Sequence, residues 1–162
     1  MDAIKQLFAE KLTETLEETL ENMAFLSIDP ATAETAAEYS NPLKEVHLLV
    51  TAPVLMELRL RMAEELLFQV VETMYIMDRT DVTEQLINDL LSEILNTLAG
   101  RFMADILPTN QTFSLGLPEV MEDNSPSEDN LLLQTFFQAD EHPLSVSIMA
   151  PDMDDIVEYF EA

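Results

Sequence analysis

Between Lys44 and Met62 the chain reads KEVHLLVTAPVLMELRLRM, and its apolar side chains keep a two-residue rhythm that breaks once, at Ala52-Pro53. Val46, Leu48 and Val50 alternate with His47, Leu49 and Thr51. Beyond the proline, Val54, Met56, Leu58, Leu60 and Met62 alternate with Glu57, Arg59 and Arg61. Period two marks a strand with one buried face, and proline cannot donate to a central ladder. Two strands joined this closely form an antiparallel hairpin, because a parallel pair needs a crossover of about a dozen residues or more. The alternation also fixes the register, since a slip of one residue would turn the whole apolar set toward water.

Helical spacing surrounds the hairpin. From Ala3 to about Phe25, Ile4, Leu7, Phe8, Leu12, Leu16, Leu20 and Met23 form one face, with Glu14, Glu17, Glu18 and Glu21 turned to water. Asp29 to Pro42, DPATAETAAEYSNP, reads as a connector. A helix is predicted from Ala63 to about Met77, followed by the short link MDRTD. Asp81, with Glu84 three residues on, is the predicted N-cap of a long helix reaching about Ile106. After Pro108 come three strand-like segments, TFSLGLP, LLLQTFFQAD and PLSVSIM, the first two separated by the loop EVMEDNSPSEDN. Pro151-Asp152 opens a terminal helix through Ile156, Val157 and Phe160. Successive strands outnumber βαβ crossovers. The expected fold is α+β, an antiparallel sheet with long helices packed on one face, as one domain over residues 1–162.

The formal net charge is −25, from 32 acids against seven bases. Such a field repels phosphate backbones and anionic membranes, so no nucleic-acid or membrane partner is expected, and a protein partner should offer a basic or neutral surface. A hydrophobic content of 48% excludes a disordered acidic tail. Without cysteine there are no disulfides, thiolate metal sites or cysteine nucleophiles. Two glycines leave no GxGxxG or Walker pattern. The start, MDAIKQLFAEKL, lacks the form of a signal peptide, and no uncharged run approaches the roughly 18–20 residues of a membrane helix. A soluble protein is expected.

Candidate chemistry concentrates in NDLLSEILNTLAG, residues 88–100. At about 100° per residue, Asp89, Glu93 and Asn96 fall within roughly 60° of one another, opposite Leu91, Ile94, Leu95, Leu98 and Phe102. Asparagine is a poor helix former, and a solvated face would be better served by lysine or glutamate. Gly100 follows one turn later on the polar side, where a helix-interior glycine costs roughly 1 kcal/mol relative to alanine. It leaves the face bare for a partner backbone, or permits tight helix packing. Spacing alone does not separate a site from an ordinary solvated face.

Asp89-x3-Glu93-x2-Asn96, followed by Ala99-Gly100 and by Pro118 in LGLPEV, resembles the signature of the CheC/CheX/FliY family of chemotaxis phosphatases. The order of elements is similar to that family's over most of the chain. The resemblance implies a duplicated α+β unit, a cytoplasmic location and hydrolysis of the phosphoaspartate on a CheY-like response-regulator receiver. In that reading Asn96 orients the attacking water and Glu93 pairs with the receiver's active-site lysine. Asp89 and Gly100 serve docking. No cofactor belongs to this chain, and Mg²⁺ belongs to the receiver. Aligning Asn22 with Asn96 puts Thr19 where Glu93 stands, so the first-half copy of the motif is incomplete. A single motif in the second half is similar to the CheX branch, which implies a homodimer. Relatives usually carry glycines where this chain has Ala52-Pro53 and Met121-Glu122-Asp123-Asn124. The alternative is a non-catalytic module of the same fold that docks a receiver or a flagellar-switch component.

Other residues are assigned structural roles. His47 and His142 have no sequence-local acid–base arrangement, and no GxSxG is present. Asp152, Asp154 and Asp155 are expected to cap the last helix rather than hold a cation. Arg59 and Arg61 share a strand face and are expected to pair with acids across the sheet rather than hold an anion.

Overall fold

The computed structural model describes residues 1–121 and 130–161. In chain order it contains α1 (Asp2–Ala24), β1 (Asp29–Pro30), α2 (Ala33–Ala37), β2 (Leu43–Ala52), β3 (Met56–Ala63), α3 (Glu64–Tyr75), α4 (Glu84–Ile106), β4 (Ser114–Leu115), β5 (Glu119–Met121), β6 (Leu131–Ala139), β7 (His142–Met149) and α5 (Met153–Glu161). The seven strands form one antiparallel sheet in the order β1-β6-β7-β3-β2-β4, with β5 also on β2. The α+β expectation holds.

The hairpin expected at Ala52-Pro53 is β2–β3, paired from Leu43↔Ala63 to Val50↔Met56. Its alternation does what the sequence requires. Val46, Leu48, Val50, Met56, Leu58, Leu60 and Met62 are buried on one side of the sheet. Against that side pack α1, α3 and α4, whose apolar stripes are wholly buried at Leu12, Leu16, Leu66, Leu67, Leu91 and Leu95. Phe8 joins three helices by edge-to-face ring contacts, with centroids 5.5 Å from Phe102 on α4 and 5.0 Å from Phe160 on α5. Each fully buried side chain of this size contributes about 1.5–3 kcal/mol.

Four details differ from the sequence reading. The N-cap of α4 is Thr83, not Asp81: Thr83 is extended (φ −95°, ψ 159°) and its Oγ1 accepts from Leu86 N at 3.2 Å. Asp81 sits instead in a 3₁₀ turn, Arg79–Asp81. The connector Asp29–Pro42 carries β1, which pairs with Gln138 and Phe137 of β6, and the short helix α2. Of TFSLGLP only Ser114–Leu115 is strand, because β2 offers it just two pairing positions there, at Val50 and Ala52. The segment from Glu119, expected to be a loop, begins with β5, paired to Glu45, Val46 and His47. Residues 122–129 of that segment, which include Glu122, Asp123 and Asn124, lie outside the described residues.

The opposite side of the sheet is polar at its centre and is crossed by α2. Glu45↔Arg61 and His47↔Arg59 face one another across β2 and β3, and Ser145 and Ser147 of β7 lie beside the two arginines. Among the described residues no helix is long and apolar enough to cross a membrane.

Candidate functional site

The long helix α4 is held at its sides and its start. Ile87, Leu90, Leu91, Ile94, Leu95, Leu98, Ala99, Phe102 and Met103 are buried, so its rotation about its own axis is fixed by packing. At its first turns Lys44 Nζ, on β2, donates to Asn88 Oδ1 at 2.9 Å and lies 3.3 Å from Glu84 Oε1. Thr15 Oγ1 of α1 reaches Asp105 Oδ2 at 3.3 Å near the other end.

With that rotation set, Asp89, Glu93 and Asn96 are all exposed on one stripe of α4. Asp89 Oδ1 accepts from Gln85 Nε2 at 2.9 Å, one turn earlier. Among the described residues, neither Glu93 nor Asn96 has a hydrogen-bond or ion-pair partner. Both side chains therefore present their full donor and acceptor capacity to solvent from a rigid backbone. Gly100 continues the stripe, and a Cβ added there would meet no atom within 4 Å beyond the neighbouring helix backbone. Tight packing, one of the two explanations open for that glycine, is thus excluded among the described residues. β5 packs beside α4 and brings the segment after Pro118 close to the same helix.

The corresponding stretch of α1 is built differently. Thr19, which aligns with Glu93, is wholly buried with its hydroxyl unpartnered, while Asn22 is exposed. Of these two stretches, α4 is the one that carries an exposed carboxylate and an exposed amide together in this arrangement.

The remaining candidates resolve into structural pairs. His47 Nε2 lies 2.8 Å from Glu45 Oε2, and its Nδ1 lies 3.2 Å from Glu57 Oε1. Arg61 Nε approaches Glu45 Oε1 directly across the strands at 3.4 Å. Arg59 pairs with Glu57 two residues earlier on its own strand rather than across the sheet. Burial pushes the Glu45 carboxyl up, but the His47 hydrogen bond and the charges of Arg61, His47 and Arg59 outweigh it and hold the group below the usual glutamate range. His142 lies 3.4 Å from the Tyr39 hydroxyl and from Gln69 Nε2. Asp152 Oδ1 accepts from the backbone of Asp154 at 3.0 Å and Asp155 at 3.3 Å, the expected cap of α5. Among the described residues no group of three or more His, Asp or Glu side chains is placed to hold a metal ion.

Residues 50–138, more than half of the chain, match the family described as chemotaxis phosphatase CheX. No curated protein gives a significant match. Among solved structures, CheX from Vibrio vulnificus superposes with a TM-score of 0.68 at 16% identity, over 88% of this chain and 97% of that one. A CheX–CheY–BeF₃–Mg²⁺ complex from Borrelia burgdorferi matches with a TM-score of 0.67 at 17% identity, over 88% and 96%. FliY from Thermotoga maritima matches with a TM-score of 0.65 at 13% identity, over 99% and 97%. At these identities the likeness establishes the fold. The match over residues 50–138 contains the whole α4 stripe, and by it this chain belongs to the CheX family of chemotaxis phosphatases.

Proposed function

We propose that this chain hydrolyses the phosphoaspartate of a CheY-like receiver, with α4 as the element that enters the receiver's active site. The observation that carries the reading is the α4 stripe: Glu93 and Asn96, exposed and unengaged among the described residues, on a helix whose rotation is fixed by packing, next to a glycine with no packing reason among those same residues. Phosphoryl transfer needs positioning and charge stabilisation more than covalent chemistry. The Asn96 amide both donates and accepts, so it can hold a water in line with phosphorus. The Glu93 carboxylate matches an ammonium, here the receiver's active-site lysine. Asp89 flanks the docking surface, and the bare surface at Gly100 lets the receiver backbone approach. The chain needs no cofactor of its own in this reading. The divalent metal, Mg²⁺, is held by the receiver.

The Borrelia relative's complex with CheY supports a receiver as the partner. A cytoplasmic location and a homodimer follow from the same reading and are part of the proposal. The fold shared with FliY and with the FliM middle domain of Vibrio alginolyticus favours one alternative, a non-catalytic module that docks a receiver or a flagellar-switch component. The test is receiver dephosphorylation. CheY-like receivers are phosphorylated with a small-molecule donor in Mg²⁺, and decay is followed with wild type, Glu93→Ala and Asn96→Ala. Decay accelerated by wild type and lost in Asn96→Ala supports hydrolysis. Binding without acceleration supports the docking module.

A further inference from the structure

The chain that borders β2 on the side away from β3 carries one residue too many. Val50 pairs with Leu115 and His47 with Glu119, so β2 advances three residues while the facing chain advances four. Gly116 N donates to Leu49 O at 2.7 Å within this span, which leaves Leu117 and Pro118 together opposite Leu48. Two residues against one is a β-bulge, and a bulge also tolerates a proline without an N–H for the ladder. Leu115 and Val120, on either side of it, pack against the core beside Val50 and Val46. Alternation counted forward from Leu115 and back from Val120 brings Leu117 and Pro118 both to the side of the sheet on which α4 lies. Leu117 is nevertheless 90% exposed.

The helix beside this bulge runs the same way as β2. Lys44, at the start of β2, donates to Asn88 near the start of α4, and Val120 and Met121 line one hollow with Asn88. At the other end α4 stops at Ile106, a short connector before Ser114, which pairs with Ala52 at the end of β2. From Lys44 to Leu49 a strand covers about 16 Å, and the same length of helix from Asn88 reaches about Ala99. The bulge opposite Leu48 and Leu49 therefore stands beside the turn from Asn96 to Gly100.

We propose that Leu117 is an apolar docking residue for the receiver, aimed by the bulge onto the flank of the α4 stripe. The inference rests on the phosphatase reading for the identity of the partner. A phosphoaspartate brings negative charge to a chain whose formal net charge is −25, so the field opposes the encounter. Burial of an apolar side chain supplies affinity that does not depend on charge, and a leucine as exposed as Leu117 has most of its surface still to bury. Bulges recur beside active sites, where they re-aim a side chain. Here Pro118 and the pairing on both sides hold Leu117 in place, so little freedom is lost on docking. Its occupant is an uncharged, apolar patch of the receiver next to the phosphorylated aspartate.

A CheY-like receiver phosphorylated from acetyl phosphate in Mg²⁺ tests this. Initial rates of its dephosphorylation are measured against receiver concentration with wild type, Leu117→Ser, Leu117→Met and Asn96→Ala. Leu117→Ser should raise KM about tenfold, the factor for 1.4 kcal/mol and part of the full burial of a leucine, with kcat and melting temperature unchanged. Leu117→Met should restore KM, whereas Asn96→Ala should lose kcat. An unchanged KM in Leu117→Ser, a loss of kcat in its place, or a fall in melting temperature overturns the inference and leaves the phosphatase reading standing. A receiver that wild type binds without dephosphorylating overturns the phosphatase reading alone. Calorimetric titration of the receiver with beryllium fluoride and Mg²⁺ then decides: affinity about tenfold weaker in Leu117→Ser supports the docking residue, and equal affinity overturns it. Neither binding nor dephosphorylation by wild type overturns both.

Discussion

Leu95 and Asn96 are neighbours on α4 with opposite surroundings: Leu95 is wholly buried in the core, and Asn96 is exposed with no side-chain partner among the described residues. Truncating the first removes core contacts and leaves a cavity, so Leu95→Ala should cost about 2–5 kcal/mol. Asn96→Ala should stay within about 0.5 kcal/mol of wild type, because alanine is the better helix former and none of the described residues depends on the amide. Urea denaturation of the two variants checks both values. A loss at Asn96 as large as at Leu95 would mean that the amide belongs to the core contacts rather than to a presented surface.

How much of this the sequence carries depends on the range of the physics. The β2–β3 hairpin, the long helices and the buried side of α4 are legible because periodicity at Val46, Leu48 and Val50, or at Leu91, Ile94 and Leu98, reports directly on which side meets the core. The α4 stripe is legible as a pattern, but exposure and the absence of side-chain partners at Glu93 and Asn96 belong to the assembled fold. The misreadings are local competitions. Thr83 wins the cap from Asp81 because the chain turns in a 3₁₀ segment first. β1 and β5 are only two and three residues long, too short for any period to register.

Gly100 provides a second prediction. Its φ is not in the left-handed region, and an added methyl group would meet open space. Gly100→Ala should therefore raise stability by roughly 0.4–1 kcal/mol, through helix propensity and a less free unfolded chain. Under the proposed function the same methyl group stands where the receiver backbone approaches. Acceleration of receiver dephosphorylation should then fall as the melting temperature rises. Stability gained with full activity retained would remove Gly100 from the docking surface.

Among the described residues, Lys44 is the cation that joins the sheet to the start of α4. Its side chain is only 15% exposed, whereas its acidic partner Glu84 is 73% exposed. The two contacts should therefore differ in weight. Lys44→Met, which keeps the stem and removes the ammonium, should lose about 1.5–3 kcal/mol through the hydrogen bond to Asn88. Glu84→Gln should change stability by less than about 1 kcal/mol, as surface ion pairs do. A double-mutant cycle between Lys44 and Asn88 should show coupling, and an additive result would reduce Lys44 to a packing stem.

Glu45 sets the acid limb of stability. It faces His47 at 2.8 Å and Arg61 at 3.4 Å, while Glu57 faces the other nitrogen of the same imidazole at 3.2 Å. These cations and hydrogen bonds hold the folded-state value of Glu45 below the ordinary 4.5. A carboxyl lowered in the native state binds fewer protons there than in the unfolded chain, so stability falls as protons are added. Its contribution is complete above pH 4.5 and disappears as the pH drops from there through the lowered native value. Glu45→Gln removes the titration while keeping the shape. The melting temperature of the variant should lie below wild type at neutral pH, and the gap should narrow steadily once the pH passes below 4.5. A gap that stays constant across that range would show that the Glu45 charge contributes nothing to the fold, leaving the His47 and Arg61 contacts as geometry without electrostatic weight.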